Sequence, residues 1–198
     1  MLVLGLTGSI GMGKSTAAAI FRRLGLPVHD ADASVHALFR AGGPAVAPIS
    51  RQFPEAVVNG AVDRERLGKI VFSDADALRD LEAIVHPLVR RERDRFLALQ
   101  RRARRRAAVL DVPLLFETGG EGVCDYVFVV SAPAFLQRQR VLARPGMTAE
   151  RLSSILKKQM PDREKRRRAD YVLPTGLGLA VTTRAIKKIL RHLGIRHA

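Results

Sequence analysis

The stretch Gly8-Ser9-Ile10-Gly11-Met12-Gly13-Lys14-Ser15 follows directly on the apolar run Leu2-Val3-Leu4-Gly5-Leu6-Thr7, and its spacing of glycines, lysine and serine is that of a phosphate-binding loop. Glycine opens backbone torsions denied to other residues, so successive amides can turn inward around phosphate oxygens. The helix predicted from Ser15 to Leu24 then offers its positive N-terminal end to the same anion. Lys14 adds a point charge near the β- and γ-phosphates, and Ser15 and Thr16 close the motif, with the Ser15 hydroxyl suited to a Mg²⁺ ion. A strand before the loop and a helix after it are what this grip on a nucleoside triphosphate requires.

Working outward, Ala107 to Val112 and Tyr126 to Val130 have the length and Val/Leu content of strands buried on both faces, with helical patterns between them. Shorter strands are expected at Pro27-Val28-His29 and Tyr171-Val172-Leu173. Strand and helix in alternation predict an α/β fold with a parallel sheet. Leu179 to Leu193 carries Val181, Ile186, Ile189, Leu190 and Leu193 near a 3.6 period and reads as a closing amphipathic helix. About 75 residues separate the second and third strands, far more than the dozen or so a crossover needs, so an insert is expected. It contains helical patterns over Ala31 to Arg40 and Asp74 to Leu99, the latter with Leu78, Leu81, Ile84, Val85, Leu88 and Val89 on one face. A second excursion, Ala132 to Ala169, is basic and broken at Pro133, Pro145-Gly146 and Pro161 into short helices that suit a mobile lid.

Composition narrows the partners. The chain has 198 residues, 47% of them apolar, a net charge of +15 and an isoelectric point near 11.3. One globular domain with inserted subdomains fits that length. The positive field draws anions without choosing among them. Nine arginines lie between Arg90 and Arg106; with no tryptophan and only Phe96 interleaved, they read as a solvated helix face rather than a nucleic-acid surface. The single cysteine, Cys124, excludes an internal disulfide and is expected as a buried small side chain in a reducing, cytoplasmic compartment. No run approaches the roughly 20 apolar residues of a membrane span.

Carboxylates come next. Asp30-Ala31-Asp32 follows the second strand at the sheet edge where open α/β folds bind ligands. One aspartate there can cap the helix, with Asp32 accepting the proton of an attacking hydroxyl. Asp111 ends the third strand, where phosphate-loop enzymes keep a carboxylate on the magnesium side, commonly through water. Gln137, Arg140 and Arg144 share a helical stripe able to fold over a triphosphate. His86, before Pro87 in an apolar helical stretch, reads first as a packed side chain and second as a substrate contact.

The loop together with Asp30-Ala31-Asp32, Asp63-Arg64 to Leu67, Leu81-Glu82 to His86-Pro87, Asp111-Val112-Pro113-Leu114-Leu115-Phe116-Glu117, Gln137, Arg140, Arg144, Gln159 and Ala169-Asp170 closely resembles the dephospho-coenzyme A kinases, over nearly the whole chain. The resemblance implies the P-loop NTPase fold: a five-stranded parallel sheet flanked by helices (about 1–30, 106–131 and 170–198), a helical substrate-binding insert (about 31–105) and a helical lid (about 132–169). It implies transfer of the ATP γ-phosphoryl group, with Mg²⁺, to the ribose 3′-hydroxyl of dephospho-coenzyme A. It makes Asp32 the general base and sets Lys14, Arg140 and Arg144 on the transferring group. It also gives Ser15 and Asp111 to Mg²⁺, and Asp32, His86, Asp111 and Leu114 to the acceptor. No obligate nucleic acid or membrane partner is implied, and a monomer is expected, with an oligomer left open. The chain departs from the family at Leu173-Pro174-Thr175-Gly176, in place of an Asn-containing turn near the adenine, at Pro145 and at Pro54-Glu55. A kinase of another small molecule or nucleoside monophosphate, and a basic nucleic-acid-associated ATPase, are the rival readings.

Overall fold

A computed structural model describes residues 1–195, apart from the side chain of Ser73. The chain forms two compact units: Met1–His29 with the chain from Gln100 onward, and Asp30–Leu99.

The first unit is built on a five-stranded sheet. Its strands are β1 (Leu2–Thr7), β2 (Val28–Asp30), β5 (Ala107–Asp111), β6 (Tyr126–Ser131) and β7 (Tyr171–Pro174), in the order β2-β5-β1-β6-β7. The pairs β1–β5, β1–β6 and β6–β7 are parallel, with Leu4 opposite Val109 on one side and Tyr126 on the other. β1 and β5 are almost wholly buried, which is why they read as unbroken apolar runs rather than as alternation. Because β1 is central and the chain passes to opposite sides of it, its carboxyl end is a topological switch point, the place where such sheets bind ligands.

Helix α1 (Lys14–Arg23) starts on Gly13, whose φ of 88° only glycine adopts without strain. It buries Ala17, Ala18, Ile20 and Phe21, and Phe21 meets Phe128 edge-on at 5.6 Å. It stops in a Schellman turn: Leu26 N–H donates to Phe21 O and Gly25 N–H to Arg22 O. The closing helix α9 (Leu179–His192) buries Thr182, Ile186 and Leu190, so the stripe is centred one residue past the expected Val181. Helices α6 (Ala134–Leu142), α7 (Ala149–Lys158) and α8 (Asp162–Arg168) are separated at the prolines that the sequence marks as breaks.

The second unit holds α2 (Ala31–Phe39), α3 (Val46–Gln52), a hairpin of β3 (Val57–Val58) and β4 (Ala61–Val62), α4 (Arg64–Ser73) and most of α5 (Ala75–Arg102). Its own core joins Leu38, Phe39, Ile49, Phe53, Leu67, Val71 and Ala77, with Leu81, Ile84, Val85, Leu88 and Val89 of α5 packed against it. Leu78, expected on that face, is exposed. The hairpin turns at Asn59 and Gly60, both at positive φ, as a two-residue turn matching the twist of its strands requires.

Candidate active site

The residues at the carboxyl ends of β1, β5, β6 and β7 converge around the loop. Lys14 Nζ lies 2.6 Å from Asp111 Oδ1, and the Asp111 side chain is only 4% exposed. The sequence marks each residue separately; the fold makes them a pair. Ser15 and Thr16 are exposed at the start of α1, whereas Gly8 and Ser9 are buried beneath the loop. Gly11, at φ 76°, and Gly13 each adopt the left-handed torsion that turns the chain back over the helix start.

The outer side of the loop is tied down by side chains from the segment expected as a lid. Gln137 Nε2 donates to Ile10 O at 2.8 Å, while Ile10 N–H donates to Gln159 Oε1 at 3.0 Å. Thr175 Oγ1 donates to Met12 O at 2.6 Å, and Ala132 N–H points at Met12 Sδ. Gln137 is buried in this contact. This corrects the reading of Gln137, Arg140 and Arg144 as one stripe turned to the triphosphate, because Gln137 holds loop backbone instead. Arg140 donates to Thr175 O at 2.8 Å and more weakly to Gly11 O. Arg144 falls outside α6, which ends at Leu142, and is exposed. Pro145 explains that end, since the residue before a proline is steered away from helical torsions.

Beneath these contacts lies a buried ion pair. Lys165 of α8 has a wholly buried side chain and sits 2.8 Å from Glu117 Oε1. Burial pushes the Glu117 carboxyl up, but the hydrogen bonds from Lys165 and from Met160 N–H outweigh it and hold the group below its ordinary value. Sequence inspection leaves Lys165 unmarked, because Asp162-Arg163-Glu164-Lys165-Arg166-Arg167-Arg168 reads as a solvated charge run. The exposed Thr118 and Leu114 continue the turn after β5, with Thr118 bonded to Leu114 O.

The other candidates belong to the second unit. Asp30 caps α2, its Oδ1 accepting from Ala33 N–H at 3.0 Å, which gives the capping role to Asp30. Asp32, in the first turn of α2, is exposed. His36 lies one turn further on the same face, and Arg64 at the start of α4 reaches its Nε2 at 2.7 Å. His36 was not marked by the sequence, although its i+4 spacing from Asp32 is a usable signal. His86 is exposed on α5, so the packed reading is corrected. Cys124 is half-buried rather than buried and donates weakly to Gly120 O. Of the arginine run, Arg93 is half-buried, 2.8 Å from Asp94, whereas Arg101, Arg102 and Arg104 to Arg106 are exposed. Among the described residues no helix is long and apolar enough to cross a membrane.

A phosphate loop at the switch point of a parallel sheet, with its lysine paired to the aspartate of the neighbouring strand, defines a phosphate-loop nucleotide-binding protein. The model of the dephospho-CoA kinase family matches residues 2–179. A dephospho-CoA kinase of Paramagnetospirillum magneticum is 68% identical over 84% of this chain and 78% of its own length. That of Mesorhizobium japonicum is 56% identical over 98% and 97%. A Thermus thermophilus crystal structure, 42% identical and matched over 97% of both chains, superposes with a TM-score of 0.82. The chain belongs to the dephospho-CoA kinase family.

Proposed function

We propose that Asp32 takes the proton from the ribose 3′-hydroxyl of dephospho-coenzyme A as that oxygen attacks the γ-phosphorus of ATP held on the Gly8 to Ser15 loop. The new O–P bond forms as the bond to the bridging oxygen breaks, and its electrons leave with ADP. Family membership supports this reaction, the last step of coenzyme A synthesis. The observation that carries the division of labour is the Lys14–Asp111 pair at the mouth of the loop. In the proposed reaction Lys14 faces the charge developing on the phosphates, and its hold on Asp111 limits the reorganisation needed when the nucleotide arrives.

The donors around the loop fit a magnesium ion. Ser15 and Asp111 offer hard oxygens, and Mg²⁺ takes only one or two protein ligands beside phosphates. When bound it neutralises charge on the β- and γ-oxygens. Asp111 also keeps Lys14 from swinging out to solvent.

Arg140 bonds two main-chain carbonyls, and among the described residues no carboxylate compensates its charge. It can exchange the distant Gly11 carbonyl for a phosphate oxygen while staying anchored on Thr175. Arg144, exposed beyond the end of α6, is assigned to the γ-phosphate with its segment closing as a lid. Arg140→Ala and Arg144→Ala are each expected to lower kcat more than they raise the KM for dephospho-coenzyme A, because charge on the equatorial oxygens is greatest in the transition state. Steady-state kinetics check this, and a change confined to KM would make the arginines uniform binding elements.

A further inference from the structure

A chain of contacts that neither the loop motif nor the proposed proton transfer uses connects the residue before the phosphate loop with Ile10 inside it, through Lys165. Pro113, two residues past Asp111, has a carbonyl that accepts from Thr7 Oγ1 at 2.9 Å and from Lys165 Nζ at 3.3 Å. Lys165 also bonds Glu117 Oε1, and the same oxygen accepts from Met160 N–H at 2.8 Å. Met160 is the neighbour of Gln159, which takes the Ile10 N–H inside the loop. The path therefore leaves the chain just before the loop, at Thr7, and returns to it at Ile10. Along the way it touches the turn that follows Asp111. α8 is itself fixed to the end of β6, since Ser131 Oγ donates to Asp162 Oδ2 at 2.8 Å.

We propose that Lys165, acting with Glu117, is a positioning residue that sets the phosphate loop and the Asp111 turn in register with each other. Packing alone does not explain a wholly buried lysine in α8. Taking two charges out of water costs several kcal/mol, and a hydrophobic pair of similar volume is commonly as stable. What the ammonium supplies that a methionine cannot is simultaneous donation to a carboxylate and to the Pro113 carbonyl. Glu117 Oε2 is buried with no hydrogen-bond partner, so this carboxylate depends on Lys165 for its compensation. The inference rests on the loop being the ATP site of the proposed reaction.

Three variants separate positioning from plain stability, each read by thermal unfolding, by calorimetric ATP affinity and by kcat with dephospho-coenzyme A. Lys165→Met alone strands the Glu117 charge and is expected to lower Tm, weaken ATP binding and slow turnover. The double variant Lys165→Met, Glu117→Gln removes the stranded charge while keeping an acceptor for Met160 N–H, so Tm recovers toward wild type. ATP affinity and kcat nonetheless stay depressed by about tenfold, the worth of one charge-assisted hydrogen bond.

Gln159→Ala acts at the far end of the path without touching the buried pair and is expected to weaken ATP binding in the same sense. A double variant that regains both stability and wild-type ATP affinity and kcat would overturn the proposal. So would wild-type ATP affinity in Gln159→Ala, which decides the matter if the double variant does not fold. A wild-type protein that binds ATP but leaves dephospho-coenzyme A unphosphorylated would refute the proposed function instead.

Discussion

Replacing Lys14 by methionine is expected to lower kcat by roughly 10² to 10³, the cost typical of deleting one preorganised donor from a site of developing charge. The geometry argues for the full loss. Lys14 is held 2.6 Å from Asp111, so no mobile search precedes its action, and methionine keeps much of the packing while removing the ammonium. The same change removes the ammonium beside the Asp111 carboxylate, which is 4% exposed, and is expected to lower stability as well. Lys14→Met with Asp111→Asn should therefore recover stability and not rate. A kcat lowered by at least that factor in a double variant with near-wild-type Tm is the expected signature; near-wild-type kcat in either variant would remove Lys14 from the chemistry.

Asp32→Asn is the second large effect. A positioned base contributes about 10² to 10⁴ in rate, and a loose phosphoryl-transfer transition state, in which the nucleophile has bonded little, favours the lower half. A fall in kcat of about two orders of magnitude is expected, with ATP affinity near normal because the loop is untouched. Asp30→Asn is an informative control. Asp30 spends its side chain on Ala33 N–H, and asparagine caps a helix about as well as aspartate, so both stability and rate should remain close to wild type. Single-turnover transfer measured on the two variants assigns the base: equal losses would point to Asp30 as well, and rapid transfer by Asp32→Asn would exclude Asp32.

What the sequence made legible follows the range of the forces involved. Leu2 to Thr7 and the glycines behind it decide strand, loop and helix within a dozen residues, and β1, the loop and α1 form there. The hairpin in the second unit is equally local, since Val57-Val58-Asn59-Gly60-Ala61-Val62 carries the Asn-Gly turn signal between apolar pairs, although its strands are too short to stand out as apolar runs. Pro145 likewise announced that Arg144 would leave the helix. Lys165 differs in kind. Its burial depends on Glu117, 48 positions earlier in the chain, and on a carbonyl at Pro113, and no local pattern tells such a lysine from its solvated neighbours. The same is true of Gln137 and Gln159, whose polarity was plain but whose shared target, the Ile10 peptide, appears only once α6 and the α7–α8 turn are folded onto the loop.

ADP release and the position of the transferred phosphate, followed together with ATP, Mg²⁺ and a panel of acceptors, decide the assigned reaction. Dephospho-coenzyme A is expected to stimulate ADP release far above AMP, CMP or single-stranded DNA, with one phosphate appearing on the ribose 3′-oxygen for each ADP formed. Equal or greater stimulation by a nucleoside monophosphate, or by DNA in a manner that fades with salt, would contradict it.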